Sequence, residues 1–240
     1  PGWKMQHFKT FIIRLSGNDH SCKMALDCKE QAAKFGIQAE YFEAINGLQA
    51  DVHYELTGVP RPKKGLKKGK LGVIGCFFSH YYLWQACVQQ NIPYLILEHD
   101  GYIIKDIPNT ICNQFTDVLK LDRCDPFSNT YNDVIEQEKD IPLTIEKYVN
   151  HSPKAIHKIG TGNYFRGAYS YIIKPSGAQK LINFLKLNEN GNGHRPADQQ
   201  IGDGVLDTWV TVPTVAKLHP FYSIGTNLKT ASLTGNPELL

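Results

Sequence analysis

The opening of the chain alternates between short apolar runs and a helical stripe, and this alternation constrains the fold more than any other feature. Residues 8–15 read FKTFIIRL, a short β-branched and aromatic run typical of a buried strand. Apolar residues then recur at intervals of three and four and stop at a glycine: Ala25, Cys28, Ala32, Phe35, Gly36. A second strand is predicted over residues 39–45. This strand–helix–strand unit indicates an α/β fold with a parallel sheet.

Further elements follow the same style of patterning. Residues 74–89 are predicted to be a helix, residues 94–97 a central strand and residues 168–173 another strand. Ser176 is placed to cap a helix with an apolar face, and residues 208–212 form the last convincing strand. Residues 49–70 read as a long loop, residues 103–121 could hold a helix, and residues 143–149 a short one.

Composition supports one ordinary globular domain over residues 5–240. The chain has 240 residues, 42% hydrophobic and 20% charged, with a net charge of +3. Residues 1–4 resemble a remnant of an expression vector. No signal peptide is visible and no apolar run approaches the ~18 residues of a membrane span, so we expect a cytoplasmic protein without one. The six cysteines form no CxxC pair and are expected to be reduced thiols.

Two carboxylates follow the predicted central strand in the tripeptide Glu98-His99-Asp100. Ligands bind beyond the carboxyl ends of strands in open α/β sheets, and residues two apart can point toward the same face. A pair of carboxylates suits a hard divalent cation that neutralises a diphosphate. The alternative is a solvated turn without chemistry, because a single E-x-D is a weak signal.

Several segments around this tripeptide resemble glycosyltransferase family 25, the lipooligosaccharide and collagen galactosyltransferase group. The matching segments lie in the family's order and cover most of residues 8–225: FIIRL at 11–15, FEAING at 42–47, GVIGCFFSH at 72–80, PYLILEHD at 93–100, residues 167–181 and PAD at 196–198. The resemblance implies a GT-A-like nucleotide-sugar-binding fold, a mostly parallel sheet flanked by helices. It also implies a hexosyltransferase that uses a UDP-hexose and Mn²⁺ or a similar ion, and that inverts the anomeric centre.

The matched segments imply roles for individual residues. Those expected to bind the donor are Ile13, Arg14, Leu15, Ser79, His80, Glu98 and Gly167. Glu98 and Asp100 are the expected metal ligands, and His219 could supply a third, although it could equally be an ordinary loop histidine. Asp198 is the candidate general base, with Asp203 a weaker one. Two alternatives stay open: Asp198 could cap a helix, and His80 could be a core residue that holds the strand end carrying Glu98.

The resemblance has two departures, and one segment lies outside its motifs. The second basic residue that the family has after the first strand is not evident, since His20 and Ser21 stand near that place. His99 stands where the family usually has a second aspartate, which leaves open a domain that kept the fold and lost the metal site. Residues 61–70 carry six cations and no anion, which fits a solvated loop or a patch for an anionic acceptor. The acceptor could be a glycan, a lipid-linked glycan or a protein. A transferase that glycosylates modified DNA bases is the less favoured nucleic-acid alternative.

Overall fold

The computed structural model describes residues 7–61, 71–123, 130–148, 167–187, 196–202 and 205–220. The strands are β1 Lys9–Arg14, β2 Ala39–Glu43, β3 Tyr94–Glu98, β4 Gly101–Ile103, β5 Val118–Lys120, β6 Thr144–Lys147, β7 Ser170–Ile173, β8 Thr208–Val212 and β9 Ala216–Leu218. The helices are α1 Asp19–Lys34, α2 Ala50–Thr57, α3 Leu71–Gln90, α4 Tyr131–Gln137, α5 Pro175–Leu187 and α6 Ala197–Gly202, with short 3₁₀ helices at Gly47–Gln49 and Asn109–Asn113.

A seven-stranded sheet in the order β2-β1-β3-β7-β5-β8-β6 forms the centre of the molecule. β1 pairs in parallel with β2 and β3, and β5 pairs in parallel with β8. β7 runs antiparallel to both β3 and β5, and β6 runs antiparallel to β8. Five of the seven strands therefore run in one direction, which confirms the predicted α/β fold with a mostly parallel sheet. β4 and β9 form a separate antiparallel pair.

The central strand β3 contributes to a hydrophobic core on each face of the sheet. Tyr94 and Ile96 pack with residues of α3 and α5, whereas Leu95 and Leu97 pack with residues of α1. All four side chains are fully buried. Because neighbouring side chains of a strand point to opposite faces, an unbroken apolar run is what a strand covered on both faces requires. This burial fixes the position at which β3 ends and its polar residues begin.

The opening elements occupy the predicted positions. Asn18 caps α1 by accepting a hydrogen bond from the Ser21 amide at 2.8 Å, and α1 ends before Gly36, whose φ is +72°. The helix predicted over 74–89 begins three residues earlier, at Leu71. α5 begins at Pro175, so Ser176 lies in its first turn, and its hydroxyl donates to the Thr116 carbonyl at 3.3 Å.

Three expectations about the less regular segments are wrong. Residues 103–121 form no long helix; they contain the end of β4, a short 3₁₀ helix and β5, and their apolar side chains are buried against the sheet. Residues 144–147 form the edge strand β6 instead of a helix, because they pair with β8. The predicted loop over 49–70 begins with α2, which ends at Gly58 in the left-handed conformation. A short strand, β9, also follows residues 208–212.

Within the described residues, no helix combines the length and the apolar character that crossing a membrane requires. The described cysteines are free thiols, namely Cys22, Cys28, Cys76, Cys87 and Cys112. Cys124 lies outside the described residues, as do residues 1–4. The expectation of a single domain over 5–240 stays a prediction.

Candidate active site

Glu98 is the last residue of β3 and lies beside the end of β1, opposite Ile13 in the strand register. Its amide donates to the Tyr169 carbonyl at 3.0 Å, just before β7. The chain then turns into β4 through His99 and Asp100. A Cβ at Gly101 would lie 2.2 Å from the Tyr169 carbonyl oxygen, so only glycine fits there. The Tyr169 backbone therefore defines the turn that carries both predicted carboxylates.

A buried hydrogen-bond chain orients the Glu98 carboxylate. His80 Nε2 lies 3.1 Å from Glu98 Oε1, and His80 Nδ1 lies 2.7 Å from the Tyr171 hydroxyl. Trp84 Nε1 donates to that hydroxyl at 2.9 Å. His80, Tyr171 and Trp84 are all fully buried. His80 therefore holds the end of β3, which is the structural alternative for this residue; direct contact with a donor stays a prediction.

Cys76 completes the contacts of this carboxylate. It precedes His80 by one helical turn, and its thiol donates to the same Glu98 Oε1 at 3.5 Å. Burial raises the pKa of the Cys76 thiol well above its usual value, and the charge of Glu98 raises it further. Burial alone would raise the pKa of Glu98, but the hydrogen bond and charge of His80 outweigh it and lower that pKa. Glu98 is therefore a carboxylate, and its side chain is 25% exposed.

Asp100 is buried, and one of its two carboxylate oxygens lacks a hydrogen-bond partner among the described residues. No described residue hydrogen-bonds Asp100 Oδ1, which is shielded from solvent. Burial raises the pKa of Asp100 to about 6 and the charge of Glu98 raises it further, while His99 and the Asp100 amide lower it. A buried carboxylate oxygen without a partner is costly for a fold to retain, so this atom requires an explanation outside the described chain.

Asp198 lies in the first turn of α6, near the same turn. Its Oδ2 accepts from the Gly167 amide at 3.2 Å and its Oδ1 from the Gln199 amide at 2.8 Å. Burial raises the pKa of Asp198, these two amides lower it, and the charge of Glu98 raises it again. Asp198 therefore ties α6 to Gly167, which has a φ of +72° and precedes β7. Base catalysis by Asp198 and donor binding by Gly167 stay predictions.

The residues at the end of β1 form one side of the same sheet edge. Arg14 lies 2.8 Å from Glu43 Oε1 and covers the Tyr41 ring, with its guanidinium 3.9 Å from the ring centre. The Leu15 amide donates to the Ser21 hydroxyl at 3.0 Å, and Ile13 is buried. Arg14 is partly exposed, so its guanidinium can reach a ligand at the edge where β1 and β3 end. Donor binding by these three residues stays a prediction.

Ser79 and two glycines bring the segment after β2 onto α3. The fully buried Ser79 hydroxyl accepts from the Ile45 amide at 2.8 Å and donates to the Gly75 carbonyl at 2.8 Å. A Cβ at Gly47 would lie 1.8 Å from the Leu71 carbonyl oxygen, and one at Gly75 would lie 2.4 Å from the Ile45 oxygen. The matched FEAING and GVIGCFFSH segments therefore contact each other. The predicted contact of Ser79 with the donor is untested.

His219 lies next to the acidic turn through its backbone. Its amide donates to the Asp100 carbonyl at 2.8 Å, whereas its Nε2 lies 3.4 Å from an Asp27 carboxylate oxygen on α1. Burial lowers the pKa of His219, and Asp27 raises it. Its role as a metal ligand stays a prediction. Asp203, the weaker base candidate, lies outside the described residues, as do residues 62–70 of the basic segment.

The sequence did not single out Tyr171 and Trp84. Trp84 follows His80 by four residues, a spacing that places both on one face of α3. Tyr171 lies in an unbroken apolar strand, where its hydroxyl gave no separate signal. An aromatic side chain with a polar atom at its tip, close to a buried histidine, is the pattern that could have revealed this hydrogen-bond chain.

Comparison with known proteins supplies the family. The family model described as glycosyltransferase family 25 (LPS biosynthesis protein) matches residues 7–199. The chain belongs to glycosyltransferase family 25. It is therefore an enzyme that transfers a glycosyl group from a sugar donor to an acceptor, and the matched region includes Glu98, Asp100 and Asp198.

A search of solved structures adds a distant likeness. The chain is similar to mouse xyloside xylosyltransferase 1 in its apo form, with 11% identity, a TM-score of 0.39, and coverage of 81% of this chain and 80% of the other. No curated protein sequence matches the chain.

Proposed function

We propose that this glycosyltransferase moves a hexose from a nucleotide-diphosphate sugar, a UDP-hexose, to an acceptor hydroxyl, with inversion at the anomeric carbon and with help from a divalent cation such as Mn²⁺. The observation that carries the proposal is the buried Asp100 Oδ1, which no described residue hydrogen-bonds, beside the Glu98 carboxylate at the end of the central strand. The open ends of β1 and β3 supply the surrounding edge.

The residues of the acidic turn fit a hard cation. Hard divalent ions prefer carboxylate oxygens, and a nearby cation would remove the charge penalty that raises the pKa of Asp100. Glu98 Oε1 accepts from His80 and Cys76, which leaves Oε2 for a ligand. Glu98 and Asp100 would hold the ion. Such an ion supplies positive charge to a leaving diphosphate.

In the inverting transfer, one bond to the anomeric carbon forms as another breaks. The acceptor oxygen attacks the anomeric carbon and forms the new glycosidic bond, while the bond from that carbon to the diphosphate oxygen breaks. The nucleoside diphosphate leaves with the bonding electron pair, and a carboxylate takes the acceptor proton. We assign that proton to Asp198, whose raised pKa brings it closer to the pH at which a base is effective.

Two features support an active enzyme over a domain that lost its metal site. His99 replaces one acidic residue of the family motif, yet Glu98 and Asp100 both remain at the turn. The Cys28 thiol donates to the His99 carbonyl at 3.2 Å, so the backbone at this position is held in place. The acceptor is a sugar or protein hydroxyl; transfer to DNA bases relies on basic residues outside the described part of the chain.

Thermal denaturation with a panel of UDP-hexoses, with and without Mn²⁺, tests the proposal. A donor present at 100 times its Kd stabilises the folded state by about 2.7 kcal/mol. We expect one UDP-hexose to raise the melting temperature in Mn²⁺ and to lose most of that effect in EDTA. An equal shift without the ion contradicts the metal role, and no shift with any UDP-sugar contradicts the donor assignment. NMR of the product then reports the anomeric configuration.

A further inference from the structure

We infer that Cys76, His80 and Glu98 form a binding site for a borderline-soft divalent cation of the Zn²⁺ type, distinct from the oxygen-ligand pair of Glu98 and Asp100. One potential ligand atom from each residue, a sulfur, an imidazole nitrogen and a carboxylate oxygen, lies within 4.8 Å of the other two. Among the described residues, this is the one group of three histidine, cysteine or acidic side chains so arranged.

The ligand types match zinc and not manganese. Zinc binds cysteine sulfur at about 2.3 Å and histidine nitrogen or carboxylate oxygen at about 2.0–2.2 Å, in tetrahedral geometry. Ligand atoms around such an ion lie about three to four ångströms apart. Two of the three pairs match this, at 3.1 Å from His80 to Glu98 and 3.5 Å from Cys76 to Glu98, and the third pair lies within 4.8 Å. Glu98 and Cys76 are partly exposed, so solvent can supply a fourth ligand.

The proton balance also favours an ion at this place. In the metal-free protein, the Cys76 thiol and the His80 ring both approach Glu98 Oε1. Binding of Zn²⁺ releases the thiol proton to solvent and places the imidazole proton on Nδ1. The bound side chains are then a thiolate, a neutral imidazole and a carboxylate, whose two negative charges balance the two positive charges of the ion. A divalent cation bound among these side chains neutralises their charge.

The second partner that a metal-bound histidine needs is already present. Histidine ligands donate their other ring N–H to a neighbouring oxygen, which fixes the tautomer and the ring orientation. The Tyr171 hydroxyl lies 2.7 Å from His80 Nδ1. The Tyr171 ring stacks on the imidazole, with ring centroids 5.7 Å apart. Cys76 and His80 are held one turn apart on α3, so the site needs no rearrangement of the backbone.

The site does not depend on the proposed donor or on Mn²⁺, although both would share Glu98 with it. Titration of the metal-free protein with Co²⁺, without nucleotide, is therefore the test. We expect one Co²⁺ per chain, with a thiolate-to-cobalt charge-transfer band that Zn²⁺ abolishes by displacement. Absence of the band in the wild-type protein would overturn the site.

Matched variants assign the band to these residues. Cys76→Ser should remove it, whereas Cys22→Ser, at the other half-buried described thiol, should retain it. Tyr171→Phe should weaken Co²⁺ binding about 10- to 100-fold while the band remains. A band that persists in Cys76→Ser, or disappears in Cys22→Ser, contradicts the assignment. Circular dichroism checks folding, and Glu98→Gln, which should weaken Co²⁺ binding without removing the thiol, replaces Cys76→Ser if the latter unfolds.

Asp100→Asn separates this site from the proposed function. That substitution should abolish Mn²⁺-dependent donor binding and leave the cobalt band intact. If both the band and the Mn²⁺ effect are lost in Asp100→Asn, the two ions use one site and the inference of a distinct site is wrong. If the band remains and no UDP-sugar binds even the wild-type protein, the donor assignment fails while the cysteine-containing site stands.

Discussion

The N-terminal and C-terminal parts of the sheet are stabilised in different ways. β1, β2 and β3 are parallel, are connected through helices α1 and α3, and bury mainly apolar side chains. The strands from β5 onward are three to five residues long, are mixed in direction, and surround two fully buried aspartates. The acidic turn lies where the two parts meet, since β3 pairs with β7. The difference indicates that apolar packing positions Glu98, whereas polar contacts position what surrounds it.

The first buried aspartate, Asp117, contacts both α5 and the residue that precedes β8. It accepts hydrogen bonds from Lys180 Nζ at 2.7 Å and from the Asp207 amide at 2.9 Å, while its carbonyl accepts from the Lys174 amide at 2.9 Å. The second, Asp122, receives the hydroxyls of Tyr169 and Tyr131 and, at 3.3 Å, that of Thr214. Both residues lie at the ends of the short strand β5.

The largest effect is expected at the Glu98–Asp100 turn, where the two parts of the sheet meet. Asp100→Asn keeps the shape of the side chain and removes the charge, so Mn²⁺-dependent binding of a UDP-hexose should be lost. Calorimetric titration of donor in Mn²⁺ measures this. Asp106→Asn, a substitution of an exposed aspartate further along the chain, is the control and should bind donor normally. Normal donor binding by Asp100→Asn would mean that the Glu98–Asp100 turn carries no metal site.

The same substitution should change the pH dependence of stability in metal-free protein. The raised pKa of Asp100, about 6 against 3.8, means that the folded state retains a proton that the unfolded chain releases. Stability contributed by this group is therefore lost as pH rises from about 4 to about 6. Asp100→Asn should not show that loss, and its melting temperature at pH 7 should exceed that of the wild type. Equal pH profiles of stability for the wild type and Asp100→Asn would contradict a raised pKa of Asp100.

Asp198→Asn should lower kcat about 10²- to 10⁴-fold with a smaller change in donor KM, because a general base acts on the chemical step. Steady-state kinetics with saturating acceptor measures both quantities. Gln199→Ala is a neighbouring control that keeps the Gln199 amide to which Asp198 bonds. A raised donor KM at normal kcat would place Asp198 in donor binding, and a lower melting temperature with normal kinetics would leave it only the role of holding Gly167.

Asp117→Asn should destabilise the C-terminal part by about 1–3 kcal/mol, since a buried hydrogen-bonded charge is replaced by a neutral group that cannot satisfy the same donors. Asp51→Asn is the matched control on α2. Its side chain is 79% exposed and pairs with Arg61, so its loss should cost less than about 1 kcal/mol. Denaturant unfolding of both variants compares them. Equal effects would remove the proposed contrast between the two parts of the sheet.

The smallest effect is expected in the apolar part. Ile12→Val removes one methylene from a fully buried position in β1 and should cost about 0.5–1.5 kcal/mol in the free energy of unfolding. Leu56→Val on α2, whose side chain is 73% exposed, should have almost no effect. If denaturant unfolding gives Ile12→Val a greater loss of stability than Asp117→Asn, apolar packing dominates throughout the molecule.

This contrast also explains which parts of the fold the sequence could predict. Apart from α2, which was predicted as a loop, the elements from β1 to β3 have regular apolar spacing, and their order was predicted correctly. β5 and β6 are short, and their place depends on pairing with β8, a contact across many residues that local periodicity cannot reveal. The Glu98–Asp100 turn was predictable because it follows a long buried strand. The hydrogen-bond chain from Glu98 through His80 to Tyr171 and Trp84 was not predictable, because it depends on residues that the folded sheet brings together.

Tyr169 links the acidic turn to the C-terminal part in a way that affects how the enzyme can be redesigned. Its carbonyl receives the Glu98 amide and leaves no room for a side chain at Gly101, while its hydroxyl bonds Asp122. A shift of this one backbone therefore moves the ends of β3 and β4 together. Libraries that vary Tyr131 and Thr214, which reach Asp122 from the other side, can thus retune the spacing of the carboxylates while every ligand-contacting residue stays unchanged.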